Sequence, residues 1–214
     1  ISRERIQRFW NRDATVIHPP VEVERFSIGA PRDYLLVVGE VTRHKRTDVA
    51  LEAARRAGAR IKVVGAGPDL ERLRSAYGAT AEFLGRVSDE RLVSLYRHAR
   101  ALVVPNVEEF GIAAVEAQAA GRPVVAAGAG GALETVVNGE TGVHVAPDDV
   151  DALAEALRET DFERFDPARL ISHARRFSTE SFKQLLAAEV ARIAARTKVP
   201  DRVDATLVGA PSAP

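Results

Sequence analysis

The sequence predicts an α/β fold, a doubly wound, Rossmann-like parallel sheet of about six strands. Three observations carry that expectation. Short runs rich in β-branched residues alternate with helical patterns through residues 34–158. The runs are nearly continuous in apolar residues rather than alternating, as strands covered on both faces are. The intervals between runs hold helices, which parallel neighbours need as crossovers.

Taken in order, residues 1–12 (ISRERIQRFWNR) set Ile6, Phe9 and Trp10 at i, i+3, i+4, the apolar face of an amphipathic helix. Residues 16–26 (VIHPPVEVERF) read as an extended linker, because Pro19 and Pro20 exclude helix. Strands are expected at 34–38, 61–64, 81–84, 101–104, 123–127 and 142–145. Helices are expected at 47–57, 69–76, 89–98, 112–120, 132–137 and 149–158. Gly58, Gly78, Gly121 and Gly139 each follow a helical pattern, where a C-terminal cap takes positive φ. Pro123 reinforces the stop after Gly121, and Ser88 and Asp148 stand where N-caps belong. Residues 179–196 form a further amphipathic helix pattern. Residues 197–214 contain Pro, Ala and Asp without periodicity and are expected to be a disordered tail.

Composition narrows the function classes. The 214 residues suffice for one large domain or two small ones. Lys plus Arg number 30 and Asp plus Glu number 30, so the basic excess of a general nucleic-acid or anionic-membrane binder is missing. With no cysteine, neither a disulfide framework nor a zinc finger can form, which suits a reducing cytoplasm. No apolar run reaches the roughly 18–20 residues that span a bilayer, and the first residues do not read as a signal peptide. The chain begins with Ile and contains no methionine, so the expectation is a trimmed N-terminus or a domain cut from a longer protein.

In such sheets ligands bind beyond the carboxyl ends of the strands, near the switch point. Four loops there invite chemistry. In GEVTRHKRTD (39–48), Arg43, Lys45 and Arg46 put cations beside a helix N-terminus, which suits phosphate; a solvated basic loop is the alternative. VVGAGPDLERL (63–73) imitates the dinucleotide fingerprint but has Leu70 at the third glycine and follows the second strand, so a tight turn near a ligand is the better reading.

In EEFGIAAVEAQAAGRPVVA (108–126), Phe110, Gly111 and Ile112 lead into a helix whose free amides face the crevice. Glu116 lies one turn beyond Ile112, among alanines that allow close packing. A buried acid there needs partners, and ligand hydroxyls would serve; an exposed helix-forming Glu is the alternative. In APDDVDALAEAL (146–157), Asp149 and Asp151 form D-x-D, a metal pattern that helix capping explains better. His44 lies in the basic loop within reach of a phosphate. His18, His98, His144 and His173 share no ligand spacing and read as structural, and Trp10 and Tyr96 read as packing residues.

The chain resembles the retaining glycosyltransferases of family 4, which have a two-domain B-type fold, and mannosyltransferase-like members in particular. PPVEVERF (19–26), VVGEVTRHKR (37–46), the E-x7-E of Glu108 and Glu116, and GGALETVVNGETG (130–142) carry the likeness, which runs over residues 1–185. The resemblance implies that this chain is the C-terminal, nucleotide-sugar half. Residues 1–12 would be the last helix of the missing acceptor domain, 13–32 the interdomain linker, 33–178 the donor domain and 179–196 a closing helix.

It implies that Glu116 holds the ribose, that Glu108 meets the donor sugar and that the backbone of Phe110, Gly111 and Ile112 binds sugar and diphosphate. Lys45 would neutralise the diphosphate, and Arg86 and Val87 would receive the base. Many members carry an arginine where Glu40 stands; either Arg43 or Arg46 supplies that cation here, or the phosphate site is weaker.

The donor would be GDP-mannose or a UDP-sugar, a substrate rather than a cofactor, used with retention of configuration and no metal. The acceptor, a glycan or lipid-linked molecule, would sit on the missing domain, so the isolated half is expected to be inactive. No nucleic-acid partner is expected. The exposed terminal helices would face the missing domain or pair with a second copy, in the cytoplasm or at the inner face of its membrane. The competing functions are an epimerase or phosphorylase on the same architecture and a non-catalytic nucleotide-binding module.

Overall fold

The computed structural model describes residues 2–196; the tail expected over 197–214 lies outside the described residues. Six strands, β1 (Leu35–Val38), β2 (Ile61–Val64), β3 (Ala81–Gly85), β4 (Ala101–Val104), β5 (Val124–Ala127) and β6 (Gly142–Val145), form one sheet in the order β3-β2-β1-β4-β5-β6. Every pairing is parallel, with Leu35 opposite Ile61 on one side and Ala101 on the other. The order reverses between β1 and β4, which is the switch point of a doubly wound sheet.

Helices cover both faces: α2 (Thr47–Ala57), α3 (Leu70–Tyr77), α4 (Asp89–His98), α5 (Ile112–Ala119), the short α6 (Ala132–Thr135) and α7 (Val150–Glu159). Alternate strand residues feed two cores. Leu35, Val37, Ala101 and Val103 pack with Leu51 of α2, Leu73 of α3 and Leu153 and Leu157 of α7. Leu36, Leu102, Val104 and Ala126 pack with Leu95 and Tyr96 of α4 and with Ala114, Val115 and Ala117 of α5. The near-continuous apolar strands thus reflect two buried faces, as expected.

Several boundaries differ from the sequence reading. The stretch read as extended includes a 3-10 turn at Val23–Arg25, and Val21, Val23 and Phe26 are buried in the α4–α5 core. Val21 also bridges to Ser178. The helix expected over 132–137 is a single turn, because Val136 is extended. A helix after α7 went unread: α8 (Pro167–Arg175) starts at Asp166, which accepts from the Ala168 amide, with Pro167 in the first turn.

Ser88 caps α4 by accepting from the Arg91 amide at 3.3 Å. Asp148 does not cap α7; Asp149 does, accepting from the Ala152 amide at 2.9 Å, while Asp148 takes a left-handed φ of 62°. Gly58, Gly121 and Gly139 have the positive φ expected of them, but Gly78 is right-handed, so that helix needs no left-handed cap.

The end helices are largely exposed. In α1 (Ser2–Trp10), Phe9 and Trp10 are each 71% exposed. In α9 (Thr179–Arg196), Leu185, Leu186 and Val190 also face solvent. No helix among the described residues is long and apolar enough to cross a membrane.

The Gly65–Gly67 turn has a packing role. Gly65 sits at φ 130°, and a Cβ there would collide with the Gly39 carbonyl; a Cβ on Gly67 would collide with the Val41 backbone. The loop after β2 therefore presses against the loop after β1 and shapes it. Gly65→Ala is expected to cost at least about 2 kcal/mol, measured as a lower urea midpoint. Gly58→Ala, at φ 63° in open space, should cost only about 1 kcal/mol.

Candidate functional site

At the switch point the two connections part. The chain leaving β1 runs to α2 on one face, and the chain leaving β4 runs to α5 on the other. The gap is a cleft of about 560 Å³, walled by Val38, Gly39, Glu40 and Lys45 from the first loop and by Pro105–Asn106 and Glu108 from the second. Phe110–Ala113 and Glu116 complete the wall on the α5 side.

Lys45 closes a 3-10 turn, Arg43–Lys45, and Arg46 then takes a left-handed φ of 49° that turns the chain into α2. This sends the Lys45 ammonium across the gap. Its Nζ donates to both oxygens of Glu108, at 2.8 and 2.9 Å. The two side chains retain only 29% and 24% of their exposure, so the pair is held in a partly desolvated place. Asn106, which is buried, donates from Nδ2 to Glu108 Oε1 at 3.0 Å.

The backbone of this loop is braced from behind. The Glu108 carbonyl accepts from the Gly131 amide at 2.7 Å. A side chain at Gly131 would collide with the backbone of Phe110, so only glycine allows that approach. Thr135 Oγ1 reaches the Phe110 carbonyl at 3.3 Å. Behind Thr135, the fully buried Gln118 donates to its carbonyl at 2.6 Å and meets His173 Nδ1 at 2.7 Å. His18 stacks on the Phe110 ring at 5.3 Å and faces Glu134 at 3.5 Å.

Gly111, at φ 93°, swings the chain into α5 so that the first amides of the helix border the cleft without intrahelical partners. One turn on, Glu116 Oε2 accepts the Tyr96 hydroxyl at 2.8 Å. Burial pushes the Glu116 carboxyl above the usual carboxylate range; the Tyr96 bond and the Arg25 charge oppose that, and Asp89 adds to it. Burial above all, with the adjacent carboxylate, drives the Tyr96 phenol well upward.

Of the residues singled out in the sequence, Lys45, Glu108, Phe110, Gly111, Ile112 and Glu116 meet in this cleft. Four of the expected donor contacts do not line it. Arg43 and Arg46 border a separate small surface pocket with Asp48 and Arg72, and Arg46 pairs with Asp148. Glu40 does line the cleft, and neither arginine is among the residues that line it. Arg86 is exposed, and Val87 packs against the α4–α5 core.

His44 meets the Thr42 hydroxyl at 3.0 Å and stays outside the cleft. Asp149 and Asp151 do not converge: one caps α7 and the other pairs with Arg56 at 2.5 Å. No cluster of three metal-ligating side chains occurs among the described residues. Sequence reasoning missed Asn106, Tyr96 and the brace formed by Gly131, Thr135 and Gln118. Their polarity at buried positions shows only once the strands are stacked.

The family of the chain follows from comparison with known proteins. The model of the family described as "Glycosyl transferases group 1" matches residues 21–177. The chain is 36% identical over 191 residues to the D-inositol 3-phosphate glycosyltransferase of Mycolicibacterium smegmatis, which covers 76% of this chain and 44% of that protein. It is 35% identical over 163 residues to the glycogen synthase of Mycobacterium tuberculosis, covering 68% and 39%. It spans less than half the length of these relatives. Among solved structures, sucrose-phosphate synthase from Thermosynechococcus elongatus matches with a TM-score of 0.78 at 26% identity, over 91% of this chain and 57% of that one. With the matched region reaching from the buried Val21 to Phe177, this chain belongs to the group 1 glycosyl transferases.

Proposed function

We propose that this chain is the donor-binding half of a retaining family 4 glycosyltransferase, and that the cleft between β1 and β4 holds a nucleoside diphosphate sugar. One observation carries the reading: a lysine, two carboxylates and the open end of α5 face a single cleft at the switch point. Each group has a matching part of such a ligand. The Lys45 ammonium and the α5 amides attract the diphosphate. Glu108 receives the sugar hydroxyls, and Glu116 receives the ribose.

The same groups supply the chemistry. As the bond between the anomeric carbon and the diphosphate oxygen breaks, negative charge grows on the departing diphosphate. Donors already fixed in place lower the barrier because they need not reorganise. Donor binding parts the Lys45–Glu108 pair, giving each member a new partner. No metal is invoked, since the lysine and the amides carry the positive charge. The donor is GDP-mannose or a UDP-sugar, and the acceptor, a glycan or lipid-linked molecule, sits on the domain that the relatives' greater length accommodates. This half by itself is expected to bind donor without transferring sugar.

Calorimetric titration tests the reading. The protein should bind UDP or GDP, and Lys45→Ala should weaken that binding by about tenfold or more while changing binding of the monophosphate far less. Glu116→Ala should weaken both. If neither UDP nor GDP binds at millimolar concentration, the reading fails.

A stability measurement follows from the Glu116 environment. Because burial raises this carboxyl in the folded state, its ionised form opposes folding, and that opposition disappears as pH falls through the raised value. Glu116→Gln is therefore expected to melt higher than the parent at pH 8 and to lose that advantage at acid pH, where the parent carboxyl is protonated. A variant that melts lower at pH 8 would contradict this account.

A further inference from the structure

We infer that Tyr96 is a positioning residue for the cleft, holding the Glu116 carboxylate so that its second oxygen faces the ligand's vicinal diol. The inference rests on the reading of the cleft as a nucleoside diphosphate sugar site.

Tyr96 is fully buried in α4, with its ring edge-to-face against Phe26 at 5.5 Å. A buried phenol needs an acceptor, and a backbone carbonyl is sufficient: the hydroxyl of Tyr34 donates to the Leu95 carbonyl at 2.8 Å. The hydroxyl of Tyr96 instead reaches out of the core to Glu116 Oε2, at 2.8 Å. Glu116 is the acid of α5 that lines the cleft. The bond therefore runs from the core to the cleft wall, and it engages one oxygen only.

A carboxylate has two oxygens and about four acceptor sites. With Oε2 held from behind, Oε1 is free to accept from two neighbouring hydroxyls, as a ribose presents them. The bond also favours the ionised state in a place where burial disfavours it. The other charges acting on this carboxyl are Arg25 and Asp89, which pair with each other at 3.3 Å and act in opposite directions. Without the phenol hydroxyl, Glu116 either swings towards solvent or takes up a proton. In both cases it ceases to be the paired acceptor of a diol, although the cleft and its lysine remain.

The readout is discrimination between a ribonucleotide and its 2′-deoxy analogue. Using whichever of UDP and GDP binds, titration of the parent protein is expected to favour the ribose form by about tenfold. In Tyr96→Phe, which keeps the ring, that preference should shrink to about threefold or less, and the Tyr96→Phe change should have no further effect in a Glu116→Ala background.

The outcomes separate the two claims. A parent that binds neither nucleotide overturns the functional reading, and this inference with it. A parent that favours ribose alongside a Tyr96→Phe protein that favours it equally overturns the positioning role alone. Should Tyr96→Phe fail to fold, carbon NMR of tyrosine-labelled parent protein decides. Saturation with the nucleotide is expected to shift the Tyr96 ring signal and leave Tyr34 unmoved; an unmoved Tyr96 signal overturns the inference.

Discussion

The architecture of the cleft depends on one ion pair across a gap. Lys45 leaves the loop after β1, Glu108 leaves the loop after β4, and the two meet where the connections diverge to opposite faces of the sheet. Parallel topology creates the gap, and the pair occupies it with opposite charges at partial burial. Isolated, either charge would be costly in that setting. Paired, each charge is compensated by the other across the gap. Asn106 adds a neutral donor to the same carboxylate, so Glu108 has a second hydrogen bond that does not depend on the lysine.

Much of the surrounding sequence serves to keep the two loops where the pair requires them. Gly65 and Gly67 let the loop after β2 press on the loop after β1, and Gly131 lets the strand-end loop after β5 press on Phe110. Behind that contact, the buried Thr135 and Gln118 and the half-buried His173 form a polar chain. Such a chain rigidifies where its members are satisfied, as Thr135 and Gln118 are; the buried Nε2 of His173 has no hydrogen-bond partner among the described residues. Glu116 is the counterexample: burial raises its pKa, so the folded chain tolerates an acid there at some cost to stability. Residues that oppose folding are commonly those kept for binding.

The fold was largely legible because it is written in local rules. Strands buried on both faces read as apolar runs, and Ser88 and Gly58 marked helix ends correctly. The acids and the lysine of the cleft were also legible, because strand-end loops are few and the family likeness singles out Lys45 among the several charges of the first. The rest depended on tertiary contact. Asp148 and Asp149 are chemically equal cap candidates, and only the left-handed backbone of Asp148 decides between them. Arg43 and Arg46 lie beside Lys45 in sequence, yet the turn sends Lys45 inward and leaves Arg46 to Asp148. The Pro167 helix, whose buried residues are only Leu170 and Ala174, shows too little apolar periodicity to be read from sequence. Tyr96 resembled any core aromatic, since nothing local reveals that its hydroxyl meets an acid twenty residues away.

The most direct test of the account is a crystal structure of the chain with bound UDP or GDP. The diphosphate is expected between β1 and β4, with phosphate oxygens at Lys45 Nζ and at the amides that open α5, and with ribose hydroxyls on Glu116. Density for the nucleotide at the Gly65–Gly67 turn, or at the surface pocket of Arg43 and Arg46, with the Lys45–Glu108 pair still closed, would contradict it.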